Sequence, residues 1–415
     1  QVYQSVFTPL AGEMPRLGDV MRFTKNNSLS GSVNRNFALL GDPSLRLAYP
    51  QEEIHLTHVN DTDIALFPEQ QDTLKALEPI RLRGEIRNAA AQKQSQFNGQ
   101  VQVTVFDKPI SRRTFGTEGV PPFGFESREV RLFNGLATVK DGAFELSFIP
   151  PRNMLYAFGK GKVSFYAFDE VRQTDAGGSY QDLVVGGSAQ NLSPEDQAPQ
   201  VQLFLNDESF KSGGLVGNNP TLLARIFDES GISISSVGIG QDIVMYLNDS
   251  LEQARILNDY YTADLDTYQQ GRVVYPLRDI PAGKHRLSFR IWDVYNNLAE
   301  SQIDFVVADN RQMALQAVMN YPNPFQDKTT FQIEHNRAGE DLLLEVQIFD
   351  RNGAWITSLQ ADVPESNTRL DQLQWDGSSA YGQKVGSGMY IYKVVLKSRY
   401  DGAAVSTVQR LIFIK

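Results

Sequence analysis

The chain has 415 residues, and its 39 basic and 49 acidic side chains leave a formal net charge of −10. At roughly 150 residues per domain, this length indicates two to four domains. A hydrophobic content of 41% is enough to form cores, which excludes a disordered chain. The acidic balance repels phosphates and argues against a nucleic-acid partner. No apolar stretch approaches the ~20 residues that a membrane-spanning helix needs.

Cysteine is absent, so these residues cannot form a disulfide, a thiolate metal site or a cysteine nucleophile. His55 and His58 are the only close pair of the four histidines. Their spacing would suit one helix face, but their neighbours favour strand and turn, so we expect no metal site there. The chain opens at Gln1 with neither an initiator methionine nor a signal sequence, and we expect it to be a piece of a longer protein.

The first fifty residues combine a helix with a short strand. Leu17, Val20, Met21 and Thr24 recur at helical spacing behind a proline, which predicts a helix over residues 14–25. After a Gly-Asp-Pro turn, residues 45–47 alternate between apolar and polar as a strand does. A helix that leads into a strand predicts the end of an α/β unit over residues 1–50.

From residue 51 onward, short runs alternate between apolar and polar residues, which predicts half-buried strands. Asn-Gly and Asp-Gly dipeptides between the runs are typical of hairpin corners, and hairpins give antiparallel sheets. Two Gly-Gly pairs, at 177–178 and 186–187, are interpreted as turns. Examples of the runs are 80–82, 101–105, 144–148 and 163–165, and the corners include Asn98-Gly99, Asn134-Gly135 and Asp141-Gly142.

Two breaks divide the remainder. Residues 186–199 lack apolar periodicity and hold two prolines, which predicts a linker. The segment 320–325 contains two prolines, so we expect the chain to enter the last domain in an extended conformation there. The predicted architecture is mainly β, the tail of an α/β caspase-like peptidase domain followed by tandem antiparallel β-sandwich (Ig-like) domains. The predicted domains are 1–50, 51–190, 191–308 and 309–415, with strands at 201–205, 287–292, 303–307, 331–333, 344–349, 389–394 and 408–414.

Residues that could carry chemistry by themselves are scarce. No serine stands in a Gly-x-Ser-x-Gly elbow, so a self-contained hydrolase is not expected. Three acidic groups could offer oxygen ligands to calcium but lack the spacing of an EF-hand loop, and solvated turn acids are the better interpretation. These groups are Asp207-Glu208, Asp228-Glu229 and Asp264 to Asp266. We therefore assign no catalytic, cofactor-binding or metal-binding residue.

Several segments resemble known families. The helix and the segment Asn36 to Leu47 resemble the closing part of the gingipain-type cysteine peptidase domain. The end of the chain resembles the C-terminal domain of proteins handled by the type IX secretion system. Segments between residues 228 and 287 resemble the β region of that system's sortase, the PorU family. The terminal motifs are NYPNPF at 320–325, IFDRNG at 348–353, Trp375-Asp376-Gly377 and GSGMYIY at 386–392.

The resemblance implies a surface-located cysteine peptidase and transpeptidase of the C25 type. Such an enzyme removes the C-terminal signal domain from exported cargo and joins the cargo to anionic lipopolysaccharide. Its nucleophile and histidine are expected upstream of Gln1, so this chain alone is expected to be inactive. The implied partners are an outer-membrane β-barrel shuttle protein, other surface attachment-complex components, cargo C-terminal domains and the upstream catalytic portion. The implied location is the cell surface of a Bacteroidota-type Gram-negative bacterium, at its outer membrane.

In the terminal domain, the residues expected to contact the shuttle are Trp375, Asp376, Gly377, Gly386, Gly388 and Tyr390. An equally weighted alternative is that the glycines only shape hairpins and that Trp375 is a packed anchor. Two other functions stay open. The chain could be the tail of a secreted gingipain-like protease, a cargo cleaved near Pro194 or Pro322. It could also be a surface adhesin or a carbohydrate-binding sandwich without an enzyme.

Overall fold

The computed structural model describes residues 2–10, 12–27, 38–67, 72–116, 119, 121–190, 195–238, 240–307, 313–364 and 366–414. Within these ranges the chain is mainly β, which confirms the predicted fold class. The only helices in the described residues are α1 (Val2–Val6), α2 (Leu17–Asn27) and one 3-10 turn at Asn258–Tyr260.

The first fifty residues contain the predicted helix but not the predicted strand. Helix α2 buries Val20 and Thr24, and the Thr24 hydroxyl donates to the Ser5 hydroxyl of α1 at 3.1 Å. The strand expected at residues 45–47 is reduced to a single bridge between Arg16 and Arg46, because no second strand lies beside it. The first two residues of the peptidase-like segment that begins at Asn36 lie outside the described residues.

The first core lies between residues 54 and 185. Its longer strands, such as β4 and β9, bury every second side chain, as the alternation in the sequence predicts, and Phe97, Leu132 and Phe148 are fully buried. The strands are β1 Glu52–Val59, β2 Thr62–Asp63, β3 Leu74–Ala76, β4 Ile80–Arg87, β5 Gly99–Phe106, β6 Ile110–Arg113, β7 Gly124–Ser127, β8 Arg131–Val139, β9 Ala143–Phe148, β10 Gly159–Lys160, β11 Lys162–Asp169, β12 Thr174–Tyr180 and β13 Val184–Ser188.

The second core lies between residues 205 and 307, with Leu205, Leu287 and Phe289 fully buried. Its five-stranded sheet has the order β15-β22-β21-β17-β18, so β18 is an edge strand. The strands are β14 Gln200–Leu205, β15 Leu215–Val216, β16 Thr221–Phe227, β17 Val244–Leu247, β18 Ser250–Ile256, β19 Tyr261–Leu265, β20 Gln270–Pro276, β21 Gly283–Trp292 and β22 Leu298–Val307.

A continuous sheet joins the first two cores. Strand β19 pairs in parallel with β8, with Ala263 opposite Gly135, so the strand order runs β14-β16-β20-β19-β8-β5-β11-β12-β1-β4-β9. The hairpin corner predicted at Asn134-Gly135 is therefore wrong, because both residues lie inside β8. A side chain at Gly135 would place its Cβ 3.0 Å from the Cβ of Ala263 and 2.6 Å from the Phe133 ring. Glycine is needed because the two strands approach closely.

The Asn134 side chain fastens this junction. Its amide nitrogen donates to the backbone carbonyl of Tyr261 at 2.9 Å, and its oxygen accepts from the Thr104 hydroxyl at 3.1 Å. At the far end of the pairing, the Asp266 carboxylate accepts from both the backbone nitrogen and the hydroxyl of Thr138, at 2.6 Å each. Asp266, interpreted above as a solvated turn acid, thus connects the two sandwiches.

The glycine pairs of the first core are not simple turns. Gly177 and Gly178 lie inside β12, where a Cβ at Gly178 would approach the Ile54 carbonyl oxygen to 2.2 Å across from β1. Gly186 and Gly187 lie in β13, so the predicted linker begins later than residue 186. Residue 194 lies outside the described residues. The antiparallel pattern also has exceptions, since β1 with β12, β3 with β13 and β15 with β22 pair in parallel.

The third core lies between residues 313 and 413, with Phe331, Trp375 and Tyr392 among its largest buried side chains. It consists of a sheet β23-β24-β27, with β28 also paired to β24, and a second sheet β26-β25-β29-β30. The strands are β23 Leu315–Tyr321, β24 Thr329–His335, β25 Leu342–Phe349, β26 Trp355–Val363, β27 Arg369–Leu370, β28 Gln374–Trp375, β29 Gly388–Ser398 and β30 Ala404–Phe413. The four predicted terminal strands are confirmed.

A few polar contacts connect the second and third cores. The Asp207 carboxylate accepts a hydrogen bond from the Thr368 hydroxyl, and the backbone nitrogen of Leu215 donates to the Gln316 side chain at 3.1 Å. Asp207 also accepts from the backbone nitrogen of Ser209 at 2.8 Å. Burial acts to raise the pKa of Asp207. The hydrogen bonds from Ser209 and Thr368 together outweigh burial and hold this pKa below its usual value. No continuous sheet of the described residues joins these two cores.

We predict that Asn134→Ala loosens the junction of the first two sandwiches. The substitution leaves the buried Tyr261 carbonyl without its donor, which costs about 1–3 kcal/mol. Hydrogen exchange of the β19 amides should become faster than in the unmodified chain, whereas Gln100→Ala, on the exposed side of β5, should leave it unchanged. Equal protection of β19 in the two variants would show that Asn134 does not fasten the junction.

Candidate functional site

Trp375 and Tyr390 belong to one aromatic cluster at the end of the terminal sandwich. The Trp375 ring lies 5.6 Å from the Tyr390 ring, edge to face, and 5.7 Å from the Phe325 ring, and Phe413 completes the group. The Trp375 indole nitrogen donates to the Ser378 carbonyl at 2.8 Å. Because Trp375 is only 2% exposed, it supports the surface from below and cannot itself be a large contact for a partner.

The NYPNPF segment supplies part of this cluster. Its first two residues, Asn320 and Tyr321, end strand β23, so the segment lies within the third core and is not the point at which the chain enters the domain. Both proline bonds, at Tyr321-Pro322 and Asn323-Pro324, are cis. The Phe325 backbone nitrogen donates to the Ile412 carbonyl at 3.0 Å, and the Ile414 nitrogen donates to the Phe325 carbonyl at 2.9 Å. The segment thereby closes one end of the sandwich over the buried Phe325 ring.

Asp376 organises the tight turn that follows Trp375. Its carboxylate accepts from the Lys384 ammonium at 2.8 Å and from the Ser378 backbone nitrogen at 3.0 Å. The hydrogen bond from Lys384, followed by those from Ser378, holds the pKa of Asp376 below its usual value. The carboxylate is therefore charged at neutral pH and is already satisfied by neighbours in its own loop.

The three glycines of the site differ in what the fold requires of them. Gly377 has φ of +81°, and a Cβ there would lie 2.8 Å from the Phe413 ring. Gly386 and Gly388 do not have positive φ, and each would place a Cβ in open space. The hairpin explanation therefore holds for Gly377 alone. The folded chain gives no steric reason for glycine at Gly386 and Gly388, which lie on the exposed surface.

Tyr390 and its neighbours show which face of the sheet is free. The buried Tyr390 hydroxyl donates to the Gly386 carbonyl at 2.7 Å, and burial raises the pKa of this tyrosine. Met389 lies opposite Ile412, and both point away from the core, 45% and 43% exposed. Trp355 and Tyr381 are also exposed nearby. We call these four residues the apolar end of the terminal sheet: Trp355, Tyr381, Met389 and Ile412.

Register and a hydrogen bond place these residues at the same end of the sheet. Phe349 of β25 pairs with Trp355 on one side and with Ile391 of β29 on the other. The backbone nitrogen of Ala380 donates to the Ile356 carbonyl at 3.0 Å, which holds the Tyr381 loop against β26. The sequence analysis missed the apolar end, although Ile412 stands between the buried Leu411 and Phe413, and Met389 directly precedes the buried Tyr390. Large exposed apolar side chains in one patch mark a candidate interaction surface.

The other groups considered in the sequence have local partners. His55 and His58 lie on β1, where His55 contacts the Glu53 carboxylate at 3.0 Å and His58 the Thr57 hydroxyl at 3.1 Å. Asp228 is buried and accepts from the Gly231 backbone nitrogen at 2.9 Å, and burial raises its pKa to about 6. Within the residues that the structure describes, no group of three His, Cys, Asp or Glu side chains is placed to hold a metal ion. Neither described helix is long and apolar enough to cross a membrane.

The described chain is thus a series of β-sandwiches whose candidate site is a surface. No protein-family model and no curated protein matches the chain. It is similar to the crystal structure of dimeric latent PorU from Porphyromonas gingivalis, with 29% identity over 99% of this chain and a TM-score of 0.40. This chain spans 38% of that PorU chain.

Two other solved structures show weaker similarity. One is a tetra-tandem repeat from the extending region of a large adhesion protein, with 12% identity and a TM-score of 0.20. The match covers 87% of this chain and 74% of the repeat's chain. The other comprises the FN1–FN3 domains of chicken CNTN1, with 7% identity and a TM-score of 0.20. The match covers 88% of this chain and 99% of the CNTN1 chain.

We predict that Gly377→Ala and Gly386→Ala have different effects on the terminal sandwich. Gly377→Ala should lower its free energy of unfolding by about 1–3 kcal/mol, because alanine is strained at positive φ and its methyl group meets Phe413. Gly386→Ala should change it by less than about 0.5 kcal/mol. Urea unfolding followed by tryptophan fluorescence measures both. Equal losses in the two variants would contradict the distinction drawn between these glycines.

Proposed function

We propose that this chain is the C-terminal, noncatalytic portion of a cell-surface cysteine peptidase and transpeptidase. The parent enzyme would remove the C-terminal signal domain of secreted cargo and attach the cargo to anionic lipopolysaccharide. The observation that carries the proposal is the 29% identity to PorU along 99% of this chain. The absence of cysteine agrees with a noncatalytic portion, because the nucleophile of such an enzyme is a cysteine thiolate.

Within this proposal, the β-sandwiches dock and position the enzyme at the outer membrane. The terminal sandwich would contact an outer-membrane β-barrel shuttle protein, and other type IX attachment-complex components and cargo C-terminal domains would be further partners. The apolar end supports this role because its exposed tryptophan, tyrosine and methionine are residue types that dominate binding surfaces. Gly386 and Gly388 carry no side chain and have open space beside them, so a partner could approach the backbone there.

We predict that the terminal sandwich is retained on the mature protein. A sortase needs it for docking, whereas a gingipain-like cargo would lose it on export. Intact-mass analysis of the protein isolated from cells should therefore show residues 309–415 still attached. A mature form that lacks these residues would contradict the proposal and favour the cargo interpretation. A known cargo of the same cells, which should lose its own terminal domain, serves as the control.

We also predict that the double substitution Met389→Asp with Ile412→Asp abolishes binding to the purified shuttle protein. Both side chains are exposed, so the charges should leave the fold intact while opposing burial at an interface. Val171→Asp, at a residue that is 94% exposed in the first sandwich, is the matched control and should bind normally. Surface plasmon resonance measures both, and unchanged binding of the double variant would refute docking through the apolar end.

A further inference from the structure

A cleft of about 610 Å³ opens at one edge of the second sandwich. Edge strand β18 forms one wall, and residues 275–281, which follow from the opposite sheet, form the other. Core side chains make its floor, namely Met245, Leu247, Leu277 and Ile280. A cleft of this size with an apolar floor can take a small ligand or a short stretch of chain. None of the functions discussed above uses it.

The edge of β18 favours a peptide as the occupant. Among the described strands, β18 pairs with β17 alone, so alternate N–H and C=O groups on its other side have no strand partner. Such an edge is a template for an added strand. Gln253 and Arg255 of this strand line the cleft. An extended peptide of seven residues, the length of β18, would span about 23 Å at about 3.3 Å per residue.

The first wall is fixed before any ligand arrives. Tyr260 ends the 3-10 turn beside the cleft, and its ring meets the Tyr275 ring edge to face at 4.8 Å. The buried Asn258 holds this turn, since its side-chain oxygen accepts from the Ile243 backbone nitrogen at 2.8 Å and its nitrogen donates to the Ile234 carbonyl at 3.1 Å. A ligand would therefore find the exposed Tyr260 ring already in place.

The second wall is held in the same way. The backbone nitrogen of Asp279 donates to the Asn219 side chain at 2.8 Å, and that of Ile280 donates to the Asn218 carbonyl at 2.9 Å. Walls that are ordered in advance lower the entropic cost of binding. Both sides of the cleft are thus prepared for a ligand that needs no rearrangement of the sandwich.

The charges of the cleft indicate the chemistry of the peptide. Arg255, Arg278 and Asp279 line it. Both arginines are exposed, and the Arg255 guanidinium donates to the Ala254 carbonyl at 2.9 Å. Among the described residues, neither arginine has a carboxylate within ion-pair distance. Other arginines of the same sandwich are paired, for example Arg225 with Glu208 and Arg286 with Asp304. Two arginines without a carboxylate partner outnumber the one aspartate of the cleft, so this part of a chain of net charge −10 favours an acidic ligand.

We propose that this cleft binds an extended acidic peptide segment, which adds a strand to the free edge of β18. Arg255 lies opposite Met245 in the register and so shares the cleft-facing side of the sheet with the floor. The side chains on that one face of the peptide therefore include both carboxylates, which pair with Arg255 and Arg278, and apolar groups, which pack against the floor and Tyr260. The site belongs to this chain alone, so it does not depend on the peptidase activity of a parent enzyme.

The experiment measures fluorescence anisotropy of a labelled eight-residue peptide with the full 415-residue chain. The peptide, Asp-Thr-Val-Thr-Asp-Thr-Val-Thr, carries aspartate and valine in turn on one strand face and threonine on the other. The aspartate peptide should bind, and a counterpart with lysine in place of aspartate should not. Arg255→Gln with Arg278→Gln should weaken binding about tenfold or more, since it removes both charge-assisted contacts. Arg225→Gln, at a paired arginine of the same sandwich, should bind normally. Equal binding of the two peptides, or no effect of the double substitution, would overturn the proposal.

A second measurement leaves the protein unchanged. Peptides methylated on alternate backbone nitrogens cannot donate to the β18 edge at those positions. One of the two alternating sets should abolish binding and the other should preserve it, because only every second N–H faces a neighbouring strand. Binding of both sets would exclude strand addition. Binding of a polygalacturonate oligomer in place of the aspartate peptide would assign the cleft to an anionic glycan and overturn the proposal.

Discussion

The parallel pairing of β8 with β19 is the contact on which the arrangement of this protein depends. Without it, the first two sandwiches would be separate bodies on a linker, whereas with it they share a sheet and a row of backbone hydrogen bonds. Asn134 supports the pairing from inside the sheet, and Gly135 permits the close approach of Ala263. A buried asparagine is tolerated there because its amide meets a carbonyl and hydroxyls that would otherwise lack partners.

The terminal sandwich uses a different principle. Aromatic rings around Trp375 close one end of its core, and the motif residues around them shape the surface above. Asp376 and Gly377 fix the turn, while the backbone conformation and surroundings of Gly386 and Gly388 do not require glycine. Among the described residues, Asp207 and Gln316 contribute polar contacts between this sandwich and the second core. A module joined in this way can present its outer face to a partner.

The sequence predicted what local patterns determine. Strict alternation located strands such as β4 and β25, and the turn at Trp375 to Gly377 was recognised from its residues. The Asn134-Gly135 dipeptide was wrongly predicted to form a hairpin corner. Its turn preference is a local property, whereas its place inside β8 depends on pairing with β19, which lies far away in the sequence. The exposure of Met389 and Ile412 was missed for a related reason. Alternation shows that two residues share a face, but not whether another layer covers that face.

The claim that the first two sandwiches form one body can be tested directly, because a chain without cysteine accepts spin labels at chosen sites only. Labels would be attached at Val171→Cys in the first sandwich and Glu252→Cys in the second, both exposed in the structure. Pulsed electron paramagnetic resonance then measures the distribution of distances between them. The shared sheet predicts a single narrow distribution. A broad distribution, typical of two domains on a flexible linker, would contradict it.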